Sequence, residues 1–394
     1  MTRDGWILFV TRFTRLFAYG ALSVVLVFYL TGLGLTEAQT GLLFTLTLLG
    51  DTVISLFLTT IADRAGRRTM LIVGSLLMAG AGMAFASTHD FLFLIIAGTI
   101  GVISPTGHEV GPFLPIEQAA LSQVVSSKRR TAVFAWYTMA GSFATALGSL
   151  CGGMLSHVSS AGSRGVVLLY AALGVVLALV FSRLSTSAEA EEKSPVGGVA
   201  VSSRPLIMKL SALMALDSFG GGFVVQSLAA YWFYLRFGVE PASLGAIFFG
   251  ANVLAGFSAL VAAKLAARIG LVRTMVFTHL PSNVLLILVP LMPNLSLAVA
   301  VLLVRFSISQ MDVPARQSYI MAVVKPEERS AAAGITGVAR TVGASIAPWF
   351  AGIMFARAGW TDVPFYLAGV LKIVYDLMLY RAFVGVRPPE ERGK

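Results

Sequence analysis

Ionisable side chains stand inside long apolar stretches of this sequence: Arg12 and Arg15, Asp51, Glu109 and Glu117, Asp217, and Arg305, Asp312 and Arg316. Their available chemistry is charge pairing, proton loading and attraction of charged solutes. Asp217 lies ~16 Å from the start of its stretch at ~1.5 Å per helical residue, with no opposite charge near it in sequence. Burial without a partner favours the neutral acid, so Asp217 is a candidate proton carrier. The competing expectation is a fixed salt bridge to Arg12, Arg15 or Arg305. Glu109 follows Pro105 and Gly107 and precedes Gly111 and Pro112. These residues predict a broken helix beside a carboxylate, an arrangement that exposes backbone to a ligand.

Arg305, Asp312 and Arg316 are spaced i, i+7 and i+11, which puts them on one face of a continuous helix. Asp312 and Arg316, four apart, are positioned to pair. The same spacing predicts that Lys372 and Asp376 neutralise each other. Asp51 suits a cavity, a proton path or packing with Arg340. Tyr19 and Gln226 are the aromatic and amide residues chosen for a binding site. His279 and Asn283 are too few ligands for a metal site, and no metal or cofactor is expected. No nucleophile motif or phosphate loop points to an enzyme.

The elements that hold these residues follow from composition. The 394 residues are 57% hydrophobic and 12% charged, against about 25% charged in an ordinary soluble domain. Apolar segments near 6 to 31, 37 to 61, 69 to 88, 91 to 112, 131 to 157 and 164 to 184 are followed by six more. These run near 206 to 236, 242 to 264, 273 to 293, 296 to 320, 331 to 356 and 363 to 384. Each approaches the roughly 20 residues that a helix needs to cross a bilayer. The net charge of +10 comes from basic residues at the ends of these segments, not from a nucleic-acid-binding cluster. Arg64, Arg67, Arg68, Lys128, Arg129, Arg130, Arg183, Lys193, Arg268, Arg273 and the tail fall on one side, and only Arg164, Arg236 and Arg357 on the other. Both termini are therefore expected in the cytoplasm.

The chain also repeats itself. Pro115 through Arg130 to Gly153 aligns without a gap onto Pro314 through Arg329 to Gly352, an offset of 199. Arg64-Ala65-Gly66 finds an echo in Arg268-Ile269-Gly270. The expected organisation is a six-helix half at 1–184, a cytoplasmic linker at 185–205 rich in small and charged residues, and a second six-helix half at 206–394.

The loop Ala62-Asp63-Arg64-Ala65-Gly66-Arg67-Arg68 resembles the signature loop of the major facilitator superfamily, with Thr59 and Ile61 in place of its glycine and leucine. Gly148-Ser149-Leu150-Cys151-Gly152-Gly153 resembles a second family signature, associated with exporters, without its proline. Leu302-Leu303-Val304-Arg305 resembles the family's arginine motif, which is tied to proton coupling. The resemblance implies an all-α membrane protein of two six-helix bundles related by a pseudo-twofold axis. Spans one, four, seven and ten would line a central cavity.

It further implies a transporter rather than an enzyme: a monomer in the inner (plasma) membrane that exports small organic molecules in exchange for protons. Uptake of an anionic solute is the alternative, and a receptor or membrane enzyme the alternative class. The expected substrate and coupling residues are Asp217, Glu109, Arg305, Asp312, Arg15, Tyr19 and Gln226. The signature loop contributes Asp63, Arg64, Gly66, Arg67 and Arg68, and a bridge between Glu117 and Arg316 would close a gate.

Overall fold

A computed structural model of the chain describes residues 2–125, 127–158, 162–189, 203–325 and 328–386. Linker positions 190–202, the basic tail from 387, and the side chains of Asp63, Lys128, Arg129 and Arg130 lie outside the described residues. Fifteen α-helices are described: α1 (Arg3–Gly32), α2 (Glu37–Ala65), α3 (Arg67–Ser87), α4 (Phe91–Ile100), α5 (Phe113–Val124), α6 (Ser127–Val158), α7 (Gly162–Phe181), α8 (Arg204–Gly222), α9 (Gln226–Phe237), α10 (Pro241–Ile269), α11 (Leu271–Leu288), α12 (Leu295–Phe306), α13 (Asp312–Val323), α14 (Arg329–Phe355) and α15 (Val363–Phe383). Among the described residues, nine helical segments are long and apolar enough to cross a membrane, and α4 and α12 are shorter apolar helices. Large apolar side chains such as Phe57, Phe93, Trp136 and Leu179 face outward, which lipid, not water, can solvate.

Local sequence explains where helices start and stop. Thr36 accepts from the Gln39 backbone while the Gln39 side chain reaches back to the Thr36 N–H, a capping box that fixes the start of α2. Asp90 and Asn294 cap α4 and α12 through backbone N–H groups of their first turns. Gly66 and Gly270, equivalent in the repeat, turn the chain into α3 and α11 with φ of 95° and 87°, a region that favours glycine.

Three of the twelve apolar segments are broken. The fourth is interrupted between α4 and α5, as its proline and glycine content predicts. The tenth is interrupted between α12 and α13, which corrects the expectation of one continuous face carrying Arg305, Asp312 and Arg316. Its cause is visible in the repeat: Pro115 and Pro314 are each the third residue of a 12-residue helix. Proline lacks the N–H that a continuous helix would use there, so it is placed most readily in a first turn. The seventh segment stops after Gly220, Gly221 and Gly222 and restarts at Gln226.

The chain divides into two compact units, one of Met1–Pro195 with Val225–Gly250 and the other of Val196–Val224 with Ala251–Lys394. In the first, α1 packs along α6 so closely that a Cβ on Gly148 or Gly152 would meet the carbonyl oxygens of Phe17 and Ala21. In the second, α8 packs along α14 in the same manner, with Gly343 against the Ala215 carbonyl. Small residues thus let backbones approach where no hydrophobic force draws helices together. Gly148→Ala is expected to cost about 1 to 3 kcal/mol through overpacking, whereas Gly165→Ala, with open space at its Cβ, changes little. Melting curves of the two purified variants check this.

Candidate functional site

In the first unit the charged residues of α1 meet those of the fourth span. Arg15 is fully buried and grips Glu117 through two bonds, Nη1 to Oε1 at 2.8 Å and Nη2 to Oε2 at 2.7 Å. Its Nη2 also lies 2.6 Å from Glu109 Oε1. Arg12 reaches Glu109 Oε2 at 2.9 Å and donates to the Tyr137 carbonyl at 2.8 Å. Glu117 further accepts from Thr11 at 3.0 Å and from the Tyr137 hydroxyl. The guanidiniums of Arg12 and Arg15 lie 4.4 and 4.5 Å from the ring centres of Tyr137 and Phe113, adding cation–π attraction. Paired and fully hydrogen-bonded in this way, the ions offset their desolvation.

The irregular stretch between α4 and α5 is tied down by its neighbours. Ser227 donates its hydroxyl to the Pro105 carbonyl at 2.6 Å, and Gln226 donates to Ser23 and Ser149 at 2.8 and 3.0 Å. Tyr19 donates to the Val110 carbonyl at 3.3 Å and stacks on Tyr170. Gln226 and Tyr19 thus brace the break that presents Glu109.

Asp51, midway along α2, borders the same break. The backbone N–H of Gly111 donates to its carboxyl group, while Oδ1 is buried and has no hydrogen-bond partner. The groups facing Asp51 are Glu109, Tyr19 and Tyr170, and among the described residues no cation pairs with it. Nearest in kind is another carboxylate.

In the second unit Asp217 is not isolated. Lys372 Nζ lies 2.7 Å from its Oδ1, Arg316 Nη1 3.4 Å from Oδ2, and His279 Nε2 3.6 Å from Oδ1. Those partners come from α15, α13 and α11, too distant in sequence for a local pattern to show them. The partner of Lys372 is therefore Asp217 and not Asp376, which takes His279 Nδ1 and Asn283 Nδ2, both at 2.9 Å. Arg316 pairs with Asp312 at 3.1 Å, the i, i+4 contact that their spacing predicts. Glu117 and Arg316, expected to form a bridge, each have counter-charges inside their own unit.

Arg305 and Arg340 differ from the other bases. Neither makes a hydrogen bond or ion pair among the described residues, although the Nε of each is buried. Both lie within electrostatic reach of Asp217. Among the described residues no group of three His, Cys, Asp or Glu side chains is placed to hold a metal ion.

The signature loop is braced by a residue that the loop pattern does not contain. Glu189 accepts from the backbone N–H groups of Arg67 and Arg68 at 2.6 and 3.1 Å, capping the N-terminus of α3 with negative charge. Arg67 donates to Gln123 at 2.7 Å and Arg68 to the Leu184 carbonyl at 3.4 Å. Glu189 reads as an ordinary linker acid in the sequence, and Arg64 is exposed at the last turn of α2.

A two-part helical membrane protein with broken spans and ion networks buried inside each unit belongs to the class of solute transporters. The sequence profile of the Major Facilitator Superfamily matches residues 8–309 and 210–394, and the chain belongs to that family. It is 29% identical to an uncharacterized membrane protein of Saccharomyces cerevisiae over 98% of this chain and 95% of that one. It is 28% identical to the quinolone resistance protein NorA of Staphylococcus aureus over 159 residues, 40% of either chain. Its fold matches that of a bacterial homologue of the human lysosomal transporter Spinster, with a TM-score of 0.74 at 16% identity over 97% of both chains. A D-xylose–proton symporter matches with a TM-score of 0.75 at 13% identity over 99% of both. The chain is a multi-pass membrane transporter of small molecules and not an enzyme.

Replacing Glu117 by Ala leaves Arg15 short of its main counter-charge, and about 3 to 5 kcal/mol of stability is expected to go with it. Adding Arg15→Met removes the stranded charge while keeping the Arg12–Glu109 pair. The double variant is therefore expected to melt above the single one in the same detergent.

Proposed function

We propose that the protein is a proton-coupled secondary transporter that exports small organic molecules by alternating access, with Asp51 as the proton carrier. The observation that carries this reading is the isolation of Asp51. Glu109 and Glu117 are met by guanidiniums, whereas Asp51 has one oxygen on a backbone N–H and the other without a partner among the described residues. An intramembrane carboxyl group with an unengaged oxygen and no counter-ion among the described residues is suited to take up and release a proton. Its place beside the break in the fourth span gives that proton a means of action. Losing it would set a new negative charge against Glu109 and the Arg12–Arg15 pair, and would tighten the bond to the Gly111 N–H.

Asp217, with Lys372 and Arg316 as counter-ions, suits a fixed ion-pair role better than proton carriage. Export is supported by the partial likeness to NorA and by the glycine-rich run of α6. The charge asymmetry of the loops supports both termini in the cytoplasm and insertion in the plasma membrane, and we take a single chain as the working unit.

Everted vesicles carrying the protein, loaded with a pH-sensitive dye and challenged with a panel of small organic compounds, test the proposal. Substrate-triggered proton movement is expected in the wild type and abolished in Asp51→Asn, with substrate binding retained. Undiminished coupling in Asp51→Asn overturns the assignment, and substrate movement without any proton movement overturns the coupling itself.

A further inference from the structure

Asp376 on α15 is fully buried, and among the described residues the base within ion-pair distance of it is His279. Lys372, four residues away on the same helix, is engaged with Asp217 instead. Both oxygens of Asp376 meet nitrogens: His279 Nδ1 stands 2.9 Å from Oδ1, and Asn283 Nδ2 stands 2.9 Å from Oδ2. A carboxylate accepts and does not donate, so Nδ1 carries the hydrogen of the first bond. The opposite ring nitrogen, Nε2, lies 3.6 Å from Oδ1 of Asp217, which is also an acceptor. A neutral imidazole has one N–H, and with that hydrogen on Nδ1 it would turn a bare lone pair toward Asp217. The imidazolium has two N–H groups and suits a carboxylate on each side. The arrangement around His279 is that of a protonated ring.

The charged and titratable groups around this ring come from several helices. Asp217 stands on α8; Lys372, Tyr375 and Asp376 stand on α15; and Arg316 of α13 holds both Asp217 and Asp312. Arg305 of α12 and Arg340 of α14 act on Asp217 from within electrostatic reach. Histidine is the base among them that ordinarily changes charge near neutral pH, whereas arginine does not. Its side chain keeps 7% exposure while that of Asp376 has none, so a proton reaches the pair through the ring. Losing that proton leaves Asp376 negative with no cation on it. Lys372, one helical turn away on the same face, is placed to answer. Asp217 can release Lys372 because Arg316 Nη1 remains 3.4 Å from its Oδ2. The lysine stem also passes close against the glycines where the seventh segment stops: a Cβ on Gly220 would lie 3.2 Å from its Cγ, and one on Gly221 3.5 Å from its Nζ.

We propose that His279 and Asp376 form a proton-binding site of the second unit, and that its occupancy decides which carboxylate Lys372 pairs with. With the proton bound, Lys372 joins α15 to α8 through Asp217, the arrangement in this structure. With the proton released to water, Lys372 turns to Asp376 on its own helix and frees α8 beside the stretch from Gly220 to Gly222. Charge stays in balance through the exchange. The pair of His279 and Asp376 goes from neutral to minus one, and the ammonium that moves to it brings plus one. The site stands independently of Asp51, which belongs to the other unit.

Solid-state NMR of the full-length protein in lipid, recorded from about pH 5 to about pH 9, tests both parts of the proposal. The first readout is the nitrogen shift of the His279 ring. The chain has four histidines, and the His279 signal is the one lost in His279→Gln. If that variant fails to fold, it is the signal that survives each of His89→Gln, His108→Gln and His157→Gln. The ring is expected to pass from the doubly protonated form to the neutral form with its hydrogen on Nδ1. The second readout is dipolar contact between lysine Nζ and aspartate Cγ, with the aspartate carboxyl carbons labelled alone. Asp217→Glu and Asp376→Glu then keep each charge and delete its signal, and Lys372→Arg deletes the lysine signal. At low pH the Lys372 contact is expected to vanish in Asp217→Glu; at high pH it is expected to vanish in Asp376→Glu instead, with the change following the ring titration. A His279 ring in one protonation state throughout overturns the proton site. Lys372 held on Asp217 across the whole range overturns the exchange.

Discussion

Ionic groups placed among apolar helices must be answered from within the protein, and that constraint organises this structure. The bidentate grip of Arg15 on Glu117 is its clearest expression: two fully buried charges joined by two short bonds, with Thr11 and Tyr137 satisfying remaining lone pairs. Around that pair, α1, α5 and α6 are fixed in register, because none of them can shift without stranding a charge. The second unit obeys the same rule with different residues, linking α8, α11, α13 and α15 through Asp217, His279, Arg316, Lys372 and Asp376.

Both networks sit beside interrupted helices, and the two features are connected. A break frees backbone N–H and carbonyl groups that hydrocarbon cannot satisfy, so polar side chains gather there. Ser227 on the Pro105 carbonyl, Tyr19 on the Val110 carbonyl and Asp51 on the Gly111 N–H all answer such groups. In the second unit the Ser258 hydroxyl accepts from the Gln310 N–H at 3.2 Å, at the break between α12 and α13. Irregular backbone and ionisable residues in this way gather together inside each unit.

Much of the architecture is legible in the sequence, because hydropathy and capping are local properties. The spans, the internal repeat and the broken fourth helix follow from apolar run length, the offset of 199, and the prolines and glycines around Glu109. The break in the tenth span was legible too, through the equivalence of Pro115 and Pro314, but the even spacing of Arg305, Asp312 and Arg316 invites a continuous helix. Ion pairing is where local reasoning gives out. Lys372 and Asp376, four apart, look like a pair, yet Lys372 reaches Asp217 155 positions away, which only tertiary packing can bring about. Glu189 capping α3 is hidden for the same reason.

What the networks leave unpaired among the described residues is therefore as informative as what they pair: a carboxyl group in the first unit and guanidiniums in the second. The central claim is that the surplus carboxyl group, Asp51, holds an exchangeable proton inside the membrane. Infrared difference spectroscopy of the protein in lipid, recorded as pH is raised, tests it most directly through the carbonyl stretch of a protonated carboxylic acid. One such band is expected, titrating as a single proton, shifting in deuterated water and absent from Asp51→Asn. A spectrum without that band, or a band unchanged in Asp51→Asn, would contradict the account.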